Sequence, residues 1–412
     1  MSYRRLGDMV KFISNKNTDG NATVLFGINI DKFFMPSVAN IIGVDLKKYK
    51  VVKKHQFACN RMHVGRDERL PISMSTFDYD FIVSPAYDVF EVITSDVLPE
   101  YLMLWFRRKE FDRQCWFYTD ADVRGGLHLD ALKSIEIKVP SIEEQGQIVA
   151  QYQSIANKIK VNEQICEKLE ATAQALYKYW FVYFEFPNEA GKPYKSSDGK
   201  MVWNEELGKE IPEGWELKSL EAITGLITDG KHGNSDDEFQ SGYYFISAKD
   251  ILKEMIDYSN ARQITYKDFQ ETHKRTNLKT GDILITNSGT IGKIAYVFED
   301  ELNSKTTFQK SVAILKPIID SQFFFQAIKN NIRELIELAG GSTQSNLLLS
   351  DLKTFKILVP INTVINDYSN KINLIIKKSY LLKKQNQKLT QLQSLLLSRL
   401  AVGEEEKRKI MV

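Results

Sequence analysis

The chain has 412 residues, length enough for about two to four domains with real cores, and its 43% apolar and 26% charged content is ordinary for a globular protein. A net charge of +2 excludes a uniformly basic or acidic surface, so any nucleic-acid contact has to come from local patches. Three widely spaced cysteines (Cys59, Cys115, Cys166) exclude a disulfide framework or zinc finger and fit a reducing cytoplasm, while no apolar run reaches ~18 residues and no secretory leader is visible.

Residues 1–145 read as a mixed domain with strand-like runs at 50–52, 81–83 and 89–93. A helix is expected over 100–116, with Pro99 in its first turn and Tyr101, Leu104, Trp105 and Phe111 on one face. A strand over 135–139 is stopped by Pro140, and Ser141 three residues before Glu144 forms a capping-box start for a long helix. That helix, assigned to 146–187, carries Ile148, Tyr152, Ile155, Ile159, Ile165, Leu169, Ala173 and Leu176 in alternating steps of three and four, with one skipped turn at Asn162. It ends in the aromatic run YKYWFVYFEF before Pro187, read mostly as core with the remainder free for partner docking. Residues 188–212, rich in Gly, Pro, Ser and Asn, read as a linker. A second mixed domain over 213–362 has strand-like runs at 283–285, 294–298 and 312–315 and a helix near 322–338. A second long amphipathic helix over 363–402 carries Ile372, Ile375, Leu382, Leu389 and Leu396, and a charged tail, 403–412, closes the chain.

The two halves form an internal repeat. ALKSIEIKVP (131–140) aligns without gaps on DLKTFKILVP (351–360), an offset of 220, which places Tyr152, Ile155, Leu169 and Leu176 over Ile372, Ile375, Leu389 and Leu396. Asn60 overlays Asn287 at an offset of 227, and a Thr-Asp-Gly string occurs at 18–20 and again at 228–230. The seam of the first helix thus has a mate of the same kind in the same chain.

The catalytic inventory is negative. There is no phosphate-binding loop, no Asn-Pro-Pro-aromatic or Asp-Pro-Pro-aromatic string, and no glycine-rich cofactor fingerprint. The five histidines have no metal-ligand spacing. Basic residues do concentrate between 47 and 69, where Lys53, Lys54, Arg61, Arg66 and Arg69 are interleaved with Asn60 and His63. Lysines there would neutralise phosphates and an arginine could grip guanine; a solvated strand-loop surface is the plain alternative. In the second half, Thr228, Lys231, His232 and Asn234 lie in a glycine-flanked polar loop, and Asn287, Ser288, Thr290 and Lys293 in another, with Lys310 downstream. Such loops suit close approach to a phosphate backbone, or are ordinary turns.

The strings KVPSIEEQGQIVAQY, NEQICEKLEATAQALYKYWFVYFEFP, GKPYKSSDGKMVWNEELGKEIPEGW and GDILITNSGTIGKIAYV resemble the specificity subunit of type I restriction-modification systems over nearly the whole chain. Tyr183 departs from the family pattern, which often has an acidic residue there. The resemblance implies an α+β fold with two similar target-recognition domains separated by two long antiparallel coiled-coil helices in a pseudo-two-fold repeat. It further implies a non-catalytic DNA-binding subunit that reads a bipartite, asymmetric duplex target. The implied partners are two methyltransferase subunits, which use S-adenosylmethionine, and restriction/translocase subunits, which use ATP and Mg. No cofactor or metal is expected in this chain, nor a membrane; the implied location is the prokaryotic cytoplasm, on the nucleoid. Two other classes stay open: a coiled-coil scaffold without DNA readout, and a fused methyltransferase or nuclease subunit with an unrecognised site.

Overall fold

The computed structural model describes residues 2–39, 43–62, 64–119, 125–340 and 346–400. Contacts divide the chain into two compact units, Met1–Val161 with Asn386–Val412, and Asn162–Gln385. Of the two long helices, Ile142–Tyr177 and Asn362–Arg399, each contributes one part to each unit.

Each unit is built on an antiparallel four-stranded sheet, and the two sheets share one topology. In the first the spatial order is Val10–Ile13, Asp88–Val92, Phe57–Cys59, Ile72–Met74. In the second it is Thr224–Asp229, Val312–Pro317, Ile283–Thr286, Ile294–Tyr296. In both, chain order reads first, fourth, second, third. A two-stranded ladder ties the two ends of each mixed domain together: Ser2–Arg5 with Glu136–Val139, and Glu216–Ser219 with Lys356–Val359. The next amide repeats too, Leu6 N–H donating to the Ile135 carbonyl at 2.9 Å and Leu220 N–H to the Phe355 carbonyl at 2.8 Å. Pro140 and Pro360 follow the last strands, where a missing N–H stops the ladder. Ser141 Oγ then accepts from Glu144 N–H at 3.2 Å and caps the first long helix.

The ladders refine the repeat. Phe57 pairs with Phe90 and Met74 as Ile283 pairs with Leu315 and Tyr296, an offset of 283 − 57 = 226. The 227 offset that overlaid Asn60 on Asn287 is therefore one residue out. Strand side chains alternate, so a one-residue slip exchanges the faces, and the ladders are the arbiter. Arg61 is the structural counterpart of Asn287: Leu127 N–H donates to the Arg61 carbonyl and Leu347 N–H to that of Asn287. The two Thr-Asp-Gly strings are not equivalent either, since Thr228 and Asp229 end a strand while residues 18–20 lie beyond the matching strand, Val10–Ile13.

Two helices expected as continuous are broken. The first is Pro99–Phe106 and Lys109–Phe117, because Arg108 turns extended (ψ 140°) and sinks its guanidinium over the Trp105 ring, 4.3 Å from the centroid. The second is Ser321–Asn330 and Ile332–Glu337, broken where Asn331 Nδ2 donates to the Ala327 carbonyl at 2.8 Å. Residues 188–212 are more ordered than a linker: they hold the hairpin Met201–Asn204 with Lys209–Pro212, Ile211 is buried, and Tyr194 stacks on Phe186 at 4.4 Å. Their polar composition hid a structure held by a few aromatic anchors.

Every expected seam residue is buried or half-buried: Ile148, Tyr152, Ile155, Ile159, Leu169, Leu176, Ile372, Ile375, Leu382, Leu389 and Leu396. In the first unit Ile148 and Tyr152 join the core that holds Leu397, and Asn386 Nδ2 donates to the Ile159 carbonyl at 3.2 Å. In the second, Asn162 Nδ2 donates to Gln385 Oε1 at 2.8 Å and Cys166 Sγ lies 3.6 Å from the Ser379 carbonyl. Rising numbers meet falling ones, so within each unit the helical segments run antiparallel. The skipped turn at Asn162 is a buried amide, a device that fixes register in paired helices at some cost in stability. The aromatic run is mainly core: Tyr177, Trp180, Phe181, Phe184 and Phe186 pack with Trp215, Phe323 and Tyr368, leaving Tyr179, Val182 and Tyr183 exposed.

Candidate nucleic-acid interface

In the second unit the antiparallel register puts Asp229, Thr286, Ile294 and Val312 at one end of the sheet. The segments that leave this end are 229–235, 287–293 and 309–311, so the candidate residues of this half converge there. Lys310 N–H donates to the Lys231 carbonyl at 3.1 Å and Asn287 N–H to the Ser311 carbonyl at 3.1 Å, which ties the three segments together. Glycine is required twice. A Cβ on Gly230 would lie 2.0 Å from the Phe308 carbonyl oxygen, and Gly292 (φ +86°) has Ile336 Cδ1 2.4 Å from where its Cβ would be.

Several candidates serve this scaffold. Lys231 Nζ donates to Asp268 at 2.7 Å and Glu271 at 3.0 Å. The Asp268 bond pushes the Lys231 ammonium above its usual value and holds the Asp268 carboxyl below the carboxylate range. Thr228 is buried, and His232 Nε2 lies 2.8 Å from the Asp229 carboxylate, which also accepts from Arg275 at 3.2 Å. Lys293 Nζ donates to the Ala248 carbonyl at 3.0 Å, and its amide donates to Thr286 Oγ1 at 2.9 Å. Asn287 is buried, and its Oδ1 has no hydrogen-bond partner among the described residues. Asn234, Thr290 and Lys310 are exposed and Ser288 is half-buried. Asp268, Glu271 and Arg275, on the helix Tyr266–Thr276, clamp the 228–232 loop but lie some forty residues away in sequence, so no local spacing announced them.

In the first unit the equivalent end of the sheet carries residues 60–62 and 64–71. Asn60 Oδ1 accepts from Met62 N–H at 3.0 Å and closes a turn. Arg61 Nε donates to Asp88 at 2.5 Å and Nη1 to the Leu127 carbonyl at 2.5 Å, so its fork is occupied rather than open to guanine. Arg66 is bidentate on its neighbour Asp67 at 2.6 and 3.0 Å yet stays exposed, and Arg69 makes a looser contact with Asp31 at 3.3 Å. Lys53 and Lys54 precede the strand Phe57–Cys59 and lie at its other end, paired with Asp80 and Asp78. The fold does not gather them with Arg61. His63 lies outside the described residues, as do 401–402 of the expected second long helix and the tail 403–412.

No group of His, Cys, Asp and Glu among the described residues could hold a metal ion, and no described helix is long and apolar enough to cross a membrane. The three thiols are buried, and burial pushes those of Cys59 and Cys115 upward, away from nucleophilic character.

Comparison with known proteins agrees with this arrangement of repeated domains. The family model described as type I restriction modification DNA specificity domain matches residues 1–171 and again 212–394. The chain is 25% identical to the type I restriction enzyme HindI specificity subunit of Haemophilus influenzae, over 97% of this chain and 98% of that one. It is 27% identical to the MjaIX specificity subunit of Methanocaldococcus jannaschii, over 75% and 69%. Among solved structures, the type I restriction-modification S subunit from M. genitalium superposes with a TM-score of 0.56 at 13% identity, covering 98% of this chain and 96% of that one. With the family model matched on both repeats, the chain belongs to the type I restriction-modification DNA specificity family, as a non-catalytic specificity subunit.

Proposed function

We propose that this chain is the DNA-reading subunit of a type I restriction-modification complex, with each unit reading one half of a bipartite, asymmetric duplex target. The observation that carries the reading is the repeated four-stranded sheet, whose equivalent end bears a different polar loop set in each unit. One scaffold finished in two ways suits two unlike half-sites. Two methyltransferase subunits dock on it and supply S-adenosylmethionine chemistry to a flipped adenine in each half-site. Restriction subunits, with ATP and Mg, complete the assembly in the prokaryotic cytoplasm, at the nucleoid. Tyr179, Val182 and Tyr183, left exposed by the aromatic core, are one docking patch for these partners.

The long helices act as the ruler between half-sites. At 1.5 Å per residue, their 36 and 38 residues correspond to about 54 and 57 Å, more than one duplex turn of ~34–36 Å. Single-molecule mapping of methylated bases, in a host expressing this chain with its methyltransferase, tests the reading: two unlike half-motifs across a fixed spacer support it, one contiguous motif sinks it. Removing one heptad from both helices should shorten the spacer by about three base pairs, since seven residues span ~10 Å and a base step ~3.4 Å. An unchanged spacer would remove the ruler.

A further inference from the structure

In the second unit a cleft of about 320 Å³ opens between the end of the first long helix and the joint of the paired helices. Lys178, Gln326, Lys329, Asn330, Ile332 and Arg333 line it, and no carboxylate does. The Lys329 charge is already matched by Glu170 and Glu254. Lys178 and Arg333 are exposed, and among the described residues neither has a carboxylate within ion-pair distance. Gln326, another lining residue, is only 5% exposed. A side-chain amide beside two cations, in a lining without a carboxylate, is a donor set suited to an oxyanion. The cleft also adjoins the 287–293 loop, since Ile332 on its wall reaches to 3.8 Å of where a Gly292 Cβ would be.

The first unit supplies a contrast. A cleft of about 410 Å³ in the equivalent place, at the joint after Phe106 and against Tyr152, includes Asp31, Glu68 and Asp112 beside its cations. Lys32 is buried on Asp112, and Arg69 faces Asp31. The acids are absent from the second cleft, so its positive charge is left for a ligand.

We propose that the cleft between Lys178 and Arg333 binds a backbone phosphate of duplex DNA beside the half-site read by the second unit, with Gln326 donating its amide to a phosphate oxygen. This rests on the DNA-reading function above. One backbone phosphate neutralised here would add about 0.9 to the slope of log affinity against log salt. Such a contact weakens or strengthens all sequences alike.

The test uses the full-length chain and labelled duplexes, with binding followed by fluorescence anisotropy across a salt series. Lys178→Gln with Arg333→Gln should weaken target and non-target duplexes about equally, roughly tenfold near 0.1 M salt, and lower the slope by about one. Gln326→Leu keeps both charges and should weaken binding several-fold with the slope unchanged. A double variant that keeps the parent slope overturns the site. So does an equal loss from the control pair Lys192→Gln with Lys195→Gln, which would mean that bulk charge alone is felt. If millimolar inorganic phosphate raises the melting temperature of the parent and not of the double variant, while DNA binding is unaffected, the cleft serves a free anion and the proposal fails. A parent chain with a flat salt response would overturn the DNA-reading function itself, and this site with it.

Discussion

In the first unit the segment after Cys59 closes through charge, Arg61 on Asp88 and Arg66 on Asp67, around a short helix, Val64–Asp67. In the second the segment after Thr286 closes through neutral groups: Thr286 Oγ1 donates to the Thr290 carbonyl at 2.5 Å and accepts from Lys293 N–H at 2.9 Å. The sheets beneath have the same order and the same ladder pairing, and the same amide from Leu127 or Leu347 fastens each segment. The difference teaches where variation is tolerated. A buried ladder with repeated end-strands holds the fold, so the segments beyond its end can change length, charge and backbone class without disturbing it.

The largest effect should come from the shared scaffold. Leu6 and Leu220 are each fully buried just after the closing ladder, so Leu6→Ala and Leu220→Ala should each cost about 3 kcal/mol in chemical denaturation. A cost under ~1 kcal/mol for either one would mean that the repeat is not the common foundation. Arg61→Ala should come next, at roughly 1–3 kcal/mol, because it strips a partner from Asp88 and from the Leu127 carbonyl. Thr286→Val in the second unit should cost only about 1 kcal/mol and show no salt dependence, whereas the Arg61 loss should shrink as salt rises.

Smaller still is the acid effect at Asp268. Its folded pKa is held below the ordinary 3.8, chiefly by the Lys231 hydrogen bond, so its contribution is fully present above about pH 4 and is lost as pH falls through the lower folded value. Asp268→Asn should therefore flatten the melting temperature against pH below about 4, with a loss of about 1 kcal/mol or less at neutral pH. A variant whose acid limb still matches the parent would show that the clamp on the 228–232 loop lies elsewhere. Lys310→Gln should leave stability untouched and lower the salt slope of DNA binding by about one, as read by anisotropy.

Much of the architecture was legible because it depends on local rules. The Pro140 and Pro360 stops, the Ser141 cap and the three-four spacing of Ile148, Tyr152 and Ile155 each report a backbone requirement that a single segment states by itself. The breaks at Arg108 and Asn331 were not legible, since both depend on what the side chain finds after folding: an indole face and a carbonyl. The Asn60–Asn287 overlay failed by one residue because loop residues carry no periodicity, and only the ladder sets their register. The second-half loops could be named as candidates from the sequence, but not which of their polar groups are already engaged. Lys231 looks free in sequence; its acids come from a helix thirty-seven and forty residues on.

The central claim is that the two loop sets read separate half-sites. It is tested most directly by selecting duplexes from a random pool with the assembled complex, comparing the parent with an Asn234→Ala, Ser288→Ala, Thr290→Ala variant. Relaxed preference in one half-site, with the other half and the spacer unchanged, is the predicted result. Equal relaxation of both half-sites, or no change in either, would contradict it.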